Sequence, residues 1–209
     1  MRLNRFTGMQ EAEKLLDRSD PLDMGTLPPA VLKRTEAAFG KDITPEESVS
    51  VMLQEIQRDG DDAVRRYIAL LDGSAPQEFE VSQVDINSAR KSISKELEEA
   101  LLLAAERVTQ FHQSTMPKSW VDLEQGLGEL VRPLERVGLY APGGTASYPS
   151  TVLMTAIPAK VAGVKEVILC TPKIGDSPMN PSVLAAAQIA EVDVVYQIGG
   201  VPAIAAMAY

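Results

Sequence analysis

The sequence is short of cysteine, of histidine, of basic charge and of long apolar runs, and each shortage excludes something. Its one cysteine, Cys170, cannot form an intramolecular disulfide and fits a reducing compartment. Its one histidine, His112, has no cysteine or carboxylate near it at ligand spacing, so no zinc site is expected there. Lysine and arginine number 20 against 29 aspartates and glutamates, for a net charge of −9. A chain this acidic lacks the cationic footprint that nucleic acid or an anionic membrane requires. No apolar run is long enough to span a bilayer. The first residues, Met1 to Leu16, are charged and amphipathic rather than signal-like. The expected location is the cytoplasm.

What remains is a chain of 209 residues, 45% apolar and 23% charged, ordinary for a globular protein with a real core. Its character changes near residue 130. Residues 1–129 read as mainly helical and charged; residues 130–209 alternate strands and helices with little charge. In the first part, Met9 to Asp17 reads as a short helix. A second opens at Pro28-Pro29 and closes at Gly40. Thr44-Pro45-Glu46-Glu47 starts a third, with Val49, Leu53 and Ile56 on its inner face. Asp61 is expected to cap a fourth, carrying Val64, Tyr67, Ile68 and Leu71, with Asp72-Gly73 as its stop. Phe79 to Val81 is a short extended piece. The longest helix spans about Ser94 to Gln113, its stripe formed by Ile93, Leu97, Leu101, Ala104, Val108 and Phe111.

From Arg136 the pattern is βαβαβα. Strands are expected at Arg136–Tyr140, Glu166–Cys170 and Asp193–Ile198. The helices between them run from a Ser150 cap to about Ala162, where Pro158 must bend or shorten the element, and from Pro181 or Ser182 to Ala190. A last helix follows Gly199-Gly200. Strands joined through helices imply right-handed crossovers and a parallel sheet. The fold class is therefore α/β: an incomplete Rossmann-like sheet preceded by a mainly helical region. The apolar run Ala203 to Tyr209, without a polar last turn, gives the expectation of a chain cut short.

The chemistry lies in the turns. Gly143-Gly144 and Gly199-Gly200 each follow a strand directly. In open α/β sheets ligands bind outside the carboxyl ends of the strands, where glycine lets backbone approach a phosphate and a following helix supplies N–H donors. Neither loop has three spaced glycines, so on these residues alone a nucleotide site and plain tight turns stand level.

Longer stretches are more specific. Leu130 through Gly144, with Arg136-Val137-Gly138-Leu139-Tyr140-Ala141-Pro142-Gly143-Gly144 at its heart, resembles the segment that marks histidinol dehydrogenases. So do Tyr148 through Met154, Ile157 through Val164, Gly60 through Val64 with Asp72-Gly73, Phe111-His112 to Trp120, and Gly199-Gly200 with Ala203 to Ala206. The resemblance covers essentially the whole chain, more loosely in its first forty residues.

The resemblance implies an enzyme that oxidises L-histidinol through histidinal to L-histidine, the last step of histidine biosynthesis. Such enzymes use two molecules of NAD and a zinc ion and form a homodimer with Rossmann-like halves. Members are longer than this chain, and their zinc ligands, Glu–His pair and substrate contacts come from the later part, so no catalytic or metal residue is expected here. What carries over is one wall of the NAD site: Tyr140 with Pro142, Gly143 and Gly144 beside it, and Gly199 and Gly200. The sequence departs from the family at Pro202, where a cofactor-contacting glutamine is usual; proline has neither the amide nor an N–H.

Other residues carry plainer expectations. Cys170 ends an apolar strand and reads as a buried, inert thiol. Trp120 and Tyr148 read as packing anchors, and Glu46-Glu47 and Asp61-Asp62 as helix-start charges. The alternatives to a dehydrogenase of histidinol are a same-fold dehydrogenase of another amino alcohol or diol, a non-catalytic nucleotide- or partner-binding fragment, and a remnant with an uncovered sheet edge.

Overall fold

The structure is a computed structural model that describes residues 29–40, 43–143, 147–173 and 177–209. The helix expected over Met9 to Asp17 lies outside the described residues, as does Gly144. The chain divides into two compact units, Met1–Pro45 and Glu46–Tyr209. The first holds helix α1 (Pro29–Phe39), which Gly40 follows as expected.

In the second unit, α2 (Pro45–Asp59) buries Ser48, Met52 and Ile56 rather than Val49 and Leu53. The two candidate stripes differ by one residue, and a serine on the buried one hides it. Helix α3 (Asp61–Asp72) buries Ala63, Val64, Tyr67 and Ile68. Its N-cap is Gly60, without a side-chain bond, so Asp61 is the first helical residue and not the cap. Gly73 ends it in the left-handed region at φ 88°, its N–H bonded to the carbonyl of Ala69. Helix α4 (Gln83–Ser92) is an element that periodicity missed. Its polar sequence buries only Ile86 and Ala89, and Ser82 caps it by accepting from the N–H of Asp85.

Helix α5 (Lys95–Thr115) is capped by Ser94. Leu101 is buried, and Ile93, Leu97, Ala105 and Val108 pack against the core. Ala104 and Phe111 do not belong to the stripe: both are exposed, Phe111 by 62%. Beyond Pro117 comes a two-stranded antiparallel hairpin, β1 (Trp120–Asp122) and β2 (Leu127–Glu129).

The parallel sheet follows: β3 (Arg136–Tyr140), α6 (Pro149–Val161), β4 (Glu166–Cys170), α7 (Pro181–Ile189), β5 (Val194–Tyr196) and α8 (Gly200–Ala208). Strand order is β3-β4-β5, in register Tyr140 to Cys170 and Cys170 to Tyr196 at the carboxyl ends. The first two strands coincide with the expected spans, and the third is shorter. Helix α6 begins at Pro149 with Tyr148 as N-cap, so Ser150 is inside it, and it continues through Pro158. Helix α7 is capped by Asn180, whose side chain accepts from the N–H of Ser182.

Val137 and Leu139 pack against the core that contains α6 and α7. Successive side chains on a strand face opposite ways. Gly138 therefore faces the other side, where a Cβ would meet Sδ of Met207 in α8 at 2.5 Å. Helices α6 and α7 thus cover one face and α8 the other, the doubly wound arrangement. Asp193 ties this layer together: its Oδ2 accepts from Nζ of Lys160 at 2.7 Å and from the N–H of Val167 at 2.7 Å. The outer edge of β5 is not bare. Glu80 bridges antiparallel to Tyr196, the N–H of Val81 bonds to the carbonyl of Val195, and that of Gln197 to Phe79.

Candidate functional site

Three loops meet outside the carboxyl ends of the strands. The parallel ladder carries past the strands into them: the N–H of Ala141 bonds to the carbonyl of Cys170, and the N–H of Thr171 to that of Tyr196, each at 3.0 Å. Ala141 and Thr171 are buried, which fixes the start of each loop while leaving Pro142 and Gly143 exposed.

Tyr140 joins the first loop to the third. Its hydroxyl oxygen accepts the N–H of Gly200, the first residue of α8, at 3.0 Å. A phenol thus does for α8 what a cap side chain normally does. Gly200 has φ +62°, a conformation that favours glycine. Gly143 and Gly199 are small for another reason. A Cβ on Gly143 would come within 2.7 Å of Cγ of Pro172, and a Cβ on Gly199 within 2.5 Å of Cβ of the same proline. The structure therefore brings together Tyr140, Gly143, Gly199 and Gly200, with Pro142 on the exposed rim.

Beside Gly143 opens a cavity of about 340 Å³ whose walls include Ser147, Thr171, Lys173 and Asn180. The helix starts at this edge of the sheet differ. At α7, Pro181 has no N–H and Asn180 takes that of Ser182. At α6 the N-cap residue Tyr148 makes no side-chain cap bond, and at α8 the N-cap Gly199 has no side chain, the Tyr140 hydroxyl taking the Gly200 N–H instead. Pro149 and Pro202 have no N–H, and those of Thr151, Gly200 and Ala203 are bonded within the protein, which leaves Ser150 and Val201 as first-turn donors at this edge of the sheet, with Lys173 beside the cavity. Pro202 fits its own place: its side chain is fully buried in the first turn of α8, where proline is tolerated. It is a packing residue.

The other singled-out residues lie elsewhere. Cys170 is 1% exposed, and burial pushes its thiol up to about 11, which keeps it protonated and inert as expected. His112 stacks edge-on against Phe111, ring centroids 5.3 Å apart. Among the described residues no three of His, Cys, Asp and Glu gather to hold a metal, so zinc does not fit these residues. Trp120 and Tyr148 are not buried anchors; they are 48% and 43% exposed. Sequence reasoning missed Pro172 and Lys173. Their position directly after β4 was the available signal, since the glycine loops were found by that same placement.

These features define an α/β unit with a crevice at the carboxyl edge of a parallel sheet. The family model for histidinol dehydrogenase matches residues 36–209. The histidinol dehydrogenase of Lactiplantibacillus plantarum is 44% identical over 190 residues, covering 90% of this chain and 44% of that protein. The one from Dehalococcoides mccartyi strain CBDB1 is 43% identical over 203 residues, covering 97% of this chain and 46% of that protein. The crystal structure of histidinol dehydrogenase from Elizabethkingia anophelis superposes with a TM-score of 0.73 at 31% identity, over 87% of this chain and 43% of that one. The chain belongs to the histidinol dehydrogenase family. It spans a little under half the length of these relatives.

Proposed function

We infer that these residues form one wall of the NAD site of an enzyme that oxidises L-histidinol through histidinal to L-histidine. The observation that carries the reading is the bond from the Gly200 N–H to the Tyr140 hydroxyl. It draws two glycine loops, sixty residues apart in sequence, to one crevice at the carboxyl edge. NAD supplies the hydride acceptor when bound. The chain's part is to hold it: Tyr140 sets the start of α8, Gly143 and Gly199 keep backbone rather than side chain at the loop surface, and Lys173 places a cation beside the cavity. Pro142 and Gly144, which flank Gly143 in sequence, complete the first loop in this reading.

Zinc, the proton-handling residues, the substrate contacts and a homodimer partner belong to the whole enzyme, which works in the cytoplasm. The 209 residues by themselves bind cofactor and do not turn over histidinol. Amide chemical shifts recorded during an NAD titration test the first part. Changes concentrated at Ala141–Gly143, Thr171, Lys173 and Gly199–Val201 support the reading, and changes confined to other surfaces overturn it. Histidinol- and zinc-dependent NADH formation by the pure chain would contradict the second part.

A further inference from the structure

The geometry points to Pro172 as a positioning residue, a wedge that sets the separation of the two glycine loops and so the width of the cofactor crevice. It rests on the NAD reading above. Strand order places the loop after β4 between the other two, and Gly143 and Gly199 both pack against the pyrrolidine ring that it carries. A Cβ at 143 would meet Cγ of Pro172 at 2.7 Å, and its Cδ and carbonyl oxygen at 3.2 Å. A Cβ at 199 would meet its Cβ at 2.5 Å, its Cα at 3.3 Å and its Cγ at 3.4 Å. The 2.7 and 2.5 Å separations are closer than real Cβ atoms come to other atoms, so either side chain would force a loop outward. The ring itself cannot swing away, because its φ is fixed and Thr171 before it is buried and bonded through its N–H to Tyr196. The glycines that resemble a phosphate loop are thus small first because a proline packs between them.

The two glycines meet different atoms, and that difference provides the test. Pro172→Ala deletes Cγ and Cδ but keeps Cβ. It removes the nearest obstacle to a side chain at 143 and leaves the nearest obstacle to one at 199. Pro172→Gly removes both. Gly143→Ala and Gly199→Ala are each expected to weaken NAD binding on the order of tenfold, the scale of an overpacked contact. Adding Pro172→Ala should restore affinity to Gly143→Ala and not to Gly199→Ala; adding Pro172→Gly should restore both in large part. Affinity is read by calorimetry well below each variant's Tm, so that a loss of folded protein does not enter.

Protection of the Gly200 amide from hydrogen exchange is read in parallel on the same variants without cofactor. It reports the Tyr140–Gly200 bond that the wedge helps to hold. The selective pattern in both readouts supports the wedge. Equal rescue of both glycine variants by Pro172→Ala, or no rescue of either, overturns it. If the wild-type chain binds no NAD, the cofactor reading fails, and the wedge is then decided by the same pattern in Gly200 exchange alone.

Discussion

Lys160 in the last turn of α6 and Asp193 just before β5 meet with Nζ and Oδ2 2.7 Å apart. The same carboxylate oxygen accepts the N–H of Val167 at the start of β4, so one side chain fastens the end of α6, β4 and the approach to β5. Burial works to raise the Asp193 pKa, but the Lys160 and Val167 bonds outweigh it and the net shift is downward. A carboxylate lowered in the folded state adds stability above its unfolded pKa and loses it as pH falls toward the folded value. Asp193→Asn should therefore destabilise the protein by about 1–2 kcal/mol at neutral pH. The gap to wild type should narrow below the ordinary carboxylate range. Urea melts of both proteins between neutral and acidic pH check this, and a gap independent of pH would contradict it.

The hairpin is expected to fail independently of the sheet. A Cβ on Gly128 would lie 2.6 Å from the carbonyl oxygen of Trp120 and 3.1 Å from Cα of Val121, both backbone atoms that cannot step aside. Gly128→Ala should open β1 and β2 and shift the emission of Trp120, the single tryptophan, to longer wavelength. The main thermal transition should stay within about 0.5 kcal/mol of wild type, as for surface changes away from the core. Fluorescence and calorimetric melting measure the two effects separately.

Cys170 should resist modification until the protein unfolds. Its thiol is both buried and pushed up to about 11, so little thiolate exists at neutral pH and none is accessible. A disulfide reagent should react fully in denaturant and negligibly in native buffer. Fast native labelling would show that the β4 end opens readily.

The core between sheet and helices should be sensitive to single deletions. Leu153 in α6 and Leu169 in β4 are 1% and 0% exposed. Leu153→Ala and Leu169→Ala should each cost about 2–5 kcal/mol. Denaturant melts give the values directly.

The α/β architecture was legible because its strands announce themselves. Val167-Ile168-Leu169-Cys170 is a continuous apolar run, as a strand covered on both faces requires, and both β3 and β4 fall on their expected spans. Helix α4 was not legible because Gln83–Ser92 has only Ile86 and Ala89 to bury, too few to show a period. The hairpin was hidden for a related reason: its three-residue strands alternate nothing, being exposed almost throughout. At the crevice, the glycine loops were visible from their place after the strands. The contact of Tyr140 with Gly200 and the packing of Pro172 between Gly143 and Gly199 join residues far apart in sequence, and no local pattern encodes such pairs.

The most direct test is an NAD titration of the wild-type chain and of Tyr140→Phe, which deletes only the oxygen that accepts the Gly200 N–H. Saturable binding by wild type, weakened severalfold or more in the variant as expected for one lost hydrogen bond of about 1 kcal/mol, is the predicted result. Absence of binding by the wild-type chain, or equal affinity of the two proteins, would contradict the assignment of this crevice to the cofactor.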